Sequence, residues 1–259
     1  MKLLLCDIGN TYSKILVINK RTKFFITKTS NFISLAKKYK GYKFFVSSVV
    51  PEILRKLKRH HIFVKVVTYK DLETKLPIKY DTKNLGSDRV LSAFVAKRIF
   101  GNNTLVVSCG TTIVLDYINN KGEYVGGAIF PGIGMLLKSL FLETSKLPLI
   151  DKQQVITSHK ILVGKNTEEC IVSGILNFCI SGINYFVKNI KPKNIVVTGG
   201  DALVFKNRIL YDANIYFIDN LVILSLLLLS FDLKMIENED LGKLVENYFN
   251  EVLDIEKII

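Results

Sequence analysis

The sequence predicts an α/β protein made of two like domains, each ordered βββαβα. Two observations carry that expectation. A glycine-centred loop follows an apolar strand twice, as Leu4-Leu5-Cys6-Asp7-Ile8-Gly9-Asn10-Thr11 and as Val106-Val107-Ser108-Cys109-Gly110-Thr111-Thr112. The alternation of strand and helix patterns around the first loop then recurs around the second. With 259 residues, 49% of them hydrophobic, the chain has enough apolar material for two cores.

In the first half, period-two alternation of apolar residues places strands near Lys2 to Asp7, Tyr12 to Ile18 and Lys23 to Thr27. A helix near Asn31 to Tyr39, a strand at Lys43 to Ser47, a helix at Pro51 to His60 and a strand at Phe63 to Val67 follow. The second half repeats the order, with strands near Thr104 to Ser108, Ile113 to Ile118 and Glu123 to Ile129. It continues with a helix from Gly132, a long helix from Thr167 to about Asn189 and a strand at Asn194 to Thr198. No low-complexity linker separates the halves, so the expected join is the helix Ser87 to Phe100 with the turn Gly101-Asn102-Asn103. The expected domains are residues 1–102 and 103–233, followed by an amphipathic helical extension at 234–259.

The net charge is +13, and because Lys234 to Ile259 carries a local −4, the remainder sums to +17. Scattered lysines without an arginine block, a stacking motif or zinc spacing describe a solvated surface better than a nucleic-acid face. The four cysteines form no CxxC pair, and no signal peptide precedes them, so reduced thiols in a cytoplasmic setting are expected. Leu221 to Phe231 is too short to span a membrane, which needs roughly 20 apolar residues, and reads as a buried helix.

Chemistry concentrates in the glycine loops. Gly9 and Gly110 permit tight turns, and the Asn10-Thr11 and Thr111-Thr112 amide, hydroxyl and backbone N–H groups are donors suited to phosphate oxygens. Two such loops facing each other would hold a nucleoside triphosphate. Asp7, at the end of the first strand, suits Mg²⁺ or a metal-bound water, although an Asx-turn in a hairpin explains it equally well. Asp88, within Gly86-Ser87-Asp88-Arg89, is open to two readings. Ser87 or Asp88 could cap the helix, or Asp88 could take a proton from a substrate hydroxyl while Arg89 binds an anionic group. Gly126 to Gly132 and Thr198-Gly199-Gly200-Asp201 permit close backbone approach by a ligand, the latter by a flat purine. Thr167 is either an N-cap or a hydroxyl directed at the site. His60, His61 and His159 form no ligand spacing, and no Walker loop, nucleophile elbow or GxGxxG is present.

Taken in order, DIGNT at 7–11, SSVVP at 47–51, GSDR at 86–89, CGTT at 109–112, GGAIFPG at 126–132, TSKLPLI at 144–150, GKNT at 164–167 and TGGD at 198–201 resemble type III pantothenate kinases. The resemblance runs from residue 1 to about 233. It implies duplicated RNase H-like (actin/sugar-kinase-like) domains with an inter-domain cleft, and ATP-dependent phosphorylation of pantothenate, the first step of coenzyme A biosynthesis. It further implies that Asp7, Ile8, Gly9, Asn10, Thr11, Tyr12, Ser13 and Lys14 form a first ATP phosphate loop and Gly110, Thr111 and Thr112 a second. By the same resemblance Asp88 is the general base, while Tyr80, Gly86, Ser87, Arg89 and Thr167 line the pantothenate pocket, Arg89 pairing the carboxylate. Mg²⁺, a monovalent cation (K⁺ or NH₄⁺) and a homodimer that completes the pocket across its interface are implied as well. Ser108 departs from the pattern, for the family has an aspartate there, assigned to the monovalent cation. A serine hydroxyl is a neutral and weaker ligand. That departure and the basic body leave open a catalytically impaired paralogue that regulates by binding nucleotide or nucleic acid; a different kinase or phosphatase of the same two-domain group, such as a sugar or acetate kinase, is a third alternative.

Overall fold

The computed structural model describes residues 2–19, 22–158 and 162–235. The expected 234–259 extension therefore falls, from residue 236 onward, outside the described residues, as does His159. Two compact units are present. The first comprises the described residues of Met1–Gly101, Gly122–Val125 and Asp219–Ile259, and the second those of Asn102–Lys121 and Gly126–Ile218.

In the first unit, strands β1 (Leu3–Ile8), β2 (Tyr12–Ile18) and β3 (Lys23–Lys28) precede helix α1 (Phe32–Lys38), β4 (Lys43–Ser48), α2 (Pro51–Arg59), β5 (Val64–Val66) and α3 (Ser87–Phe100). The sheet order is β3-β2-β1-β4-β5, antiparallel across β3-β2-β1 and parallel across β1-β4-β5. Alternation decides which face each side chain joins. Leu4, Cys6 and Ile8 pack with Phe32 and Ala36 of α1 and Ile53 and Leu57 of α2. Leu3, Leu5 and Asp7 therefore point to the opposite face.

The second unit repeats the pattern with β6 (Thr104–Cys109), β7 (Thr112–Ile118), β8 (Tyr124–Pro131), α4 (Ile133–Leu142), α5 (Lys152–Thr157), α6 (Thr167–Ile190), β9 (Asn194–Thr198) and β10 (Asn214–Phe217). Its sheet order, β10-β9-β6-β7-β8, is the same arrangement, with β6-β7 antiparallel and β6-β9-β10 parallel. The duplicated α/β pattern expected from the sequence is thus present in the strand order of both sheets. Leu105, Val107 and Cys109 pack with Ile133 and Leu137 of α4 and with Ile171, Leu176, Cys179, Ile183 and Val187 of α6. Among the described residues, α6 is the one helix long and apolar enough to cross a membrane. Its apolar stripe is used in this core, where a long central helix passes the same compositional test.

The last described helix, α7 (Leu221–Asp232), departs from the expected division at 102/103, which grouped it with the second half. It packs against β1, β2, β4 and α3 of the first unit. Ile223, Leu224, Leu226, Leu227 and Leu229 are all fully buried, as an all-round apolar helix requires. Its C-terminal Asp232 anchors it to α3 and the preceding loop through Arg98 at 3.0 Å and Lys75 at 2.9 Å.

Candidate active site

In the first unit the strand register builds a polar cluster on one face of the sheet. Asp7 of β1 lies opposite Lys14 of antiparallel β2 and beside Ser47 of parallel β4. Partners in register point the same way, so these three side chains share the face that α3 covers. Ser47, fully buried, meets the Ser87 hydroxyl at 2.9 Å. That contact ties the first turn of α3 to the end of β4, next to Asp7.

The α3 start differs from both capping alternatives. Gly86 is the N-cap, in extended conformation and without a side-chain cap. Ser87, at the first helical position, is engaged with Ser47, and Asp88 folds back so that its Oδ1 accepts the Arg89 N–H at 2.9 Å. A carboxylate at a helix N-terminus is held by orphan N–H groups and the dipole. A Cβ at residue 86 would meet that same Oδ1 at 2.5 Å, so glycine there leaves room for the carboxylate.

Asp7 feels this arrangement. Burial pushes its carboxyl up to about 6, Lys14 pulls it back down, and the nearby Asp88 pushes it up further. A carboxylate raised by burial is one that a divalent cation would hold in its ionised form. Hard carboxylate oxygens are the donors Mg²⁺ selects, so Asp7 fits that ion.

The first glycine loop connects Ile8 to Ser13, a non-adjacent pair of the sequence that the strands place in register. Gly9 donates to the Tyr12 carbonyl at 3.1 Å, and the Thr29 hydroxyl donates to the Gly9 carbonyl at 2.7 Å while lying 3.0 Å from Ser13 Oγ. These bonds use the inner backbone groups and leave Asn10, Thr11 and Tyr12 exposed at the tip. In the second loop Cys109 is in register with Ile113, one connecting residue fewer, and Gly110 donates to the Thr112 carbonyl at 3.0 Å.

The second loop is clamped by backbone. Gly132, the N-cap of α4, donates to the Thr111 carbonyl at 3.0 Å, and Asp201 donates from its backbone to the Cys109 carbonyl at 3.1 Å. Gly199 has φ +101°, and a Cβ there would collide with the Cys109 carbonyl. Alanine at this position combines left-handed strain with a backbone clash. Gly199→Ala is expected to lower stability by about 2–4 kcal/mol, read as a fall in denaturant midpoint. An unchanged midpoint would show that the turn can move away from Cys109.

Sequence reasoning missed the ion pair below this loop. Lys152 Nζ, at the start of α5, is 2.6 Å from Asp201 Oδ1, and Asp201 is buried. Burial first, and the Asp201 charge second, push the Cys109 and Cys179 thiols up, Cys179 to about 11. The TGGD motif named Asp201, but Lys152 lies in an unremarkable stretch with nothing to mark its partner.

Ser108 takes in the second unit the place that Asp7 takes in the first, one residue before the strand end and two before the glycine. Its neighbours in register are Val114 and Thr198, where Asp7 has Lys14 and Ser47. The charged set of one unit is neutral in the other. Hydroxyls alone make a poor monovalent-cation site, so the Ser108 position does not supply the charged ligand that the resemblance implied.

Thr167 is not the α6 cap. Asn166 is, its side chain accepting from the Glu169 N–H at 2.9 Å, while Glu169 accepts from the Lys165 N–H at 2.8 Å. Thr167 stands exposed at the first helical position. Tyr80 and Arg89, by contrast, are brought together, with the guanidinium carbon 5.3 Å from the ring centroid.

The chain is similar to several known proteins. The type III pantothenate kinase of Persephonella marina is 39% identical over 170 residues, 61% of this chain and 64% of that one, so the match spans a little under two thirds of that relative. The type III pantothenate kinase of Fervidobacterium nodosum is 31% identical over 228 residues, 78% of this chain and 87% of that one. Among solved structures, a Campylobacter jejuni protein assigned to the Baf family of transcriptional activators superposes with a TM-score of 0.64 at 23% identity, covering 90% of this chain and 100% of that one. The Listeria monocytogenes protein Lmo2764, described as an N-acetylmannosamine kinase, superposes at 0.50 and 14% identity, with coverage of 90% and 100%. At such identities these two speak to the fold, an actin/sugar-kinase-like pair of RNase H-like units. The family model of type III pantothenate kinase matches residues 3–189, and on that match this chain belongs to the type III pantothenate kinase family.

Proposed function

We propose that this protein transfers the γ-phosphoryl group of ATP to the primary hydroxyl of pantothenate. The observation that carries the reading is the Asp7, Lys14, Ser47, Ser87 and Asp88 cluster at the carboxyl ends of β1 and β4. Ligand sites of α/β sheets favour such strand ends, and two carboxylates there serve different tasks. Asp88 is assigned as general base. Its carboxylate is oriented by the Arg89 N–H at 2.9 Å and accepts the proton of the attacking hydroxyl.

On the first unit Asn10, Thr11 and Lys14 are assigned as donors to phosphate oxygens; on the second unit Thr111 and Thr112 are assigned the same chemistry, with the Thr198 to Asp201 turn assigned to the nucleotide's base. Arg89 is assigned to the substrate carboxylate, with Tyr80, Gly86 and Ser87 beside it on the first unit; Thr167, on the second unit, is assigned separately as an acceptor contact. Asp7 would hold Mg²⁺ directly or through water, and the ion would neutralise charge on the triphosphate. The protein's own contribution is positioning and electrostatic complementarity, because a loose phosphoryl-transfer transition state requires little covalent help. A homodimer is supported by large apolar side chains exposed on the second unit, among them Ile129, Leu142, Phe178 and Tyr185. A cytoplasmic setting follows from the same reading.

Purified protein incubated with ATP, Mg²⁺ and pantothenate is expected to form phosphopantothenate. Absence of product at every K⁺ concentration would reject the kinase reading in favour of a non-catalytic binder. Because Ser108 is neutral, activity is expected to change little when K⁺ is replaced by Na⁺, and Ser108→Asp is expected to acquire K⁺ dependence. Strong K⁺ dependence of the natural protein would place a cation site elsewhere.

A further inference from the structure

We propose that Tyr124 is a positioning residue for recognition of the acceptor's carboxylate, acting through Tyr80 on Arg89. The inference rests on the reading that Arg89 binds that carboxylate. All three residues belong to the first unit, although Tyr124 opens β8, whose remaining residues from Gly126 belong to the second.

The geometry is a stack. Arg89 lies over the Tyr80 ring at 5.3 Å, and the Tyr80 ring meets the Tyr124 ring edge-on, with centroids 5.8 Å apart and planes at 71°. Tyr80 is 41% exposed and would be free to swing if nothing stood behind it, whereas Tyr124 is fully buried. The main chain fixes the same contact. Tyr124 donates to the Pro77 carbonyl and accepts from the Lys79 N–H, both at 2.8 Å, and Ile78 forms a parallel bridge with Tyr124. The residue preceding Tyr80 is therefore pinned to the residue whose side chain supports the Tyr80 ring.

An arginine is a useful carboxylate reader only when its planar fork is presented in one orientation. Cation–π attraction against one ring restricts the plane in which the guanidinium fork is presented. Tyr124 fixes the ring, and the ring fixes the arginine. Removing the buttress should weaken reading of the carboxylate selectively, leaving ATP binding and the proton transfer at Asp88 in place.

The test is steady-state kinetics of the full chain with two acceptors, pantothenate and pantothenyl alcohol, in which a hydroxymethyl group replaces the carboxylate. Wild-type protein is expected to favour pantothenate in kcat/KM. Tyr124→Leu is expected to reduce that preference by about tenfold, through KM for pantothenate, with KM for ATP and turnover of the neutral alcohol held. Tyr124→Phe, which keeps the ring, is expected to retain the preference. Tyr124→Met, a flexible apolar side chain without a ring, should reproduce the loss, and it decides the matter should Tyr124→Leu fail to fold. An unchanged preference in the folded ring-less variant, or an equal fall on both acceptors, would overturn the proposal. Should Arg89→Gln also leave the preference intact, the assignment of Arg89 to the carboxylate is what fails.

Discussion

Asp88→Asn is expected to lower kcat for phosphoryl transfer by about 10²- to 10⁴-fold while KM for ATP stays within about threefold. The amide is nearly isosteric with the carboxylate, and its oxygen can still accept the Arg89 N–H now held at 2.9 Å. The α3 start is therefore preserved, with Gly86 as cap and Ser87 bonded to Ser47. What disappears is an acceptor able to take a full proton from the attacking hydroxyl. Single-turnover rates and calorimetric titration with ATP separate the two quantities. A kcat within tenfold of wild type would remove Asp88 from the base role, and a parallel loss of ATP affinity would show that its charge serves binding instead.

Asp7→Asn is expected to abolish measurable turnover and, in the metal-free protein, to raise stability near pH 7.5. The sign follows from the direction of the shift. Burial raises the folded-state carboxyl to about 6 from 3.8, so the folded chain holds this proton more tightly than the unfolded chain. The stability that protonation contributes is fully present below about pH 4 and is lost as pH rises through about 6. At one pKa unit per 1.36 kcal/mol, the ionised carboxylate costs up to about 3 kcal/mol, reduced by partial solvent access to about 1–2. Denaturant midpoints at pH 5 and 7.5 should show a slope in the natural protein that Asp7→Asn lacks. A variant less stable than wild type at pH 7.5 would mean that the pull of Lys14 outweighs desolvation. A charge that destabilises the fold is the trade-off expected at functional sites.

Much of this was legible in the sequence because it depends on local signals. Alternation in Leu3–Ile8 and Thr104–Cys109, the glycines after each strand and the repetition of the strand order all act within a few residues or by simple recurrence. The family resemblance rested on eight such segments in order, and the match over residues 3–189 agrees with it. Where the local signal was ambiguous, the structure chose differently. Ser87 has cap chemistry, yet Gly86 is the cap, and the Ser87 hydroxyl meets Ser47, 40 residues away; at α6 the cap is Asn166, one residue before Thr167, its side chain accepting the Glu169 N–H.

Tertiary structure alone decided the partnerships. An all-round apolar helix such as Leu221–Asp232 carries no stripe to say which sheet it will cover, and only packing assigned it to the first unit. The same holds for Lys152 with Asp201, and for Tyr124 behind Tyr80 and Arg89, where neither partner's neighbours in sequence hint at the other. Sequence by itself determined the duplicated strand order and the two glycine loops, since backbone sterics and hydrophobic period act locally. Which carboxylate feels which, and what stands behind each binding side chain, required the fold, because those forces act through space between residues that the chain keeps apart.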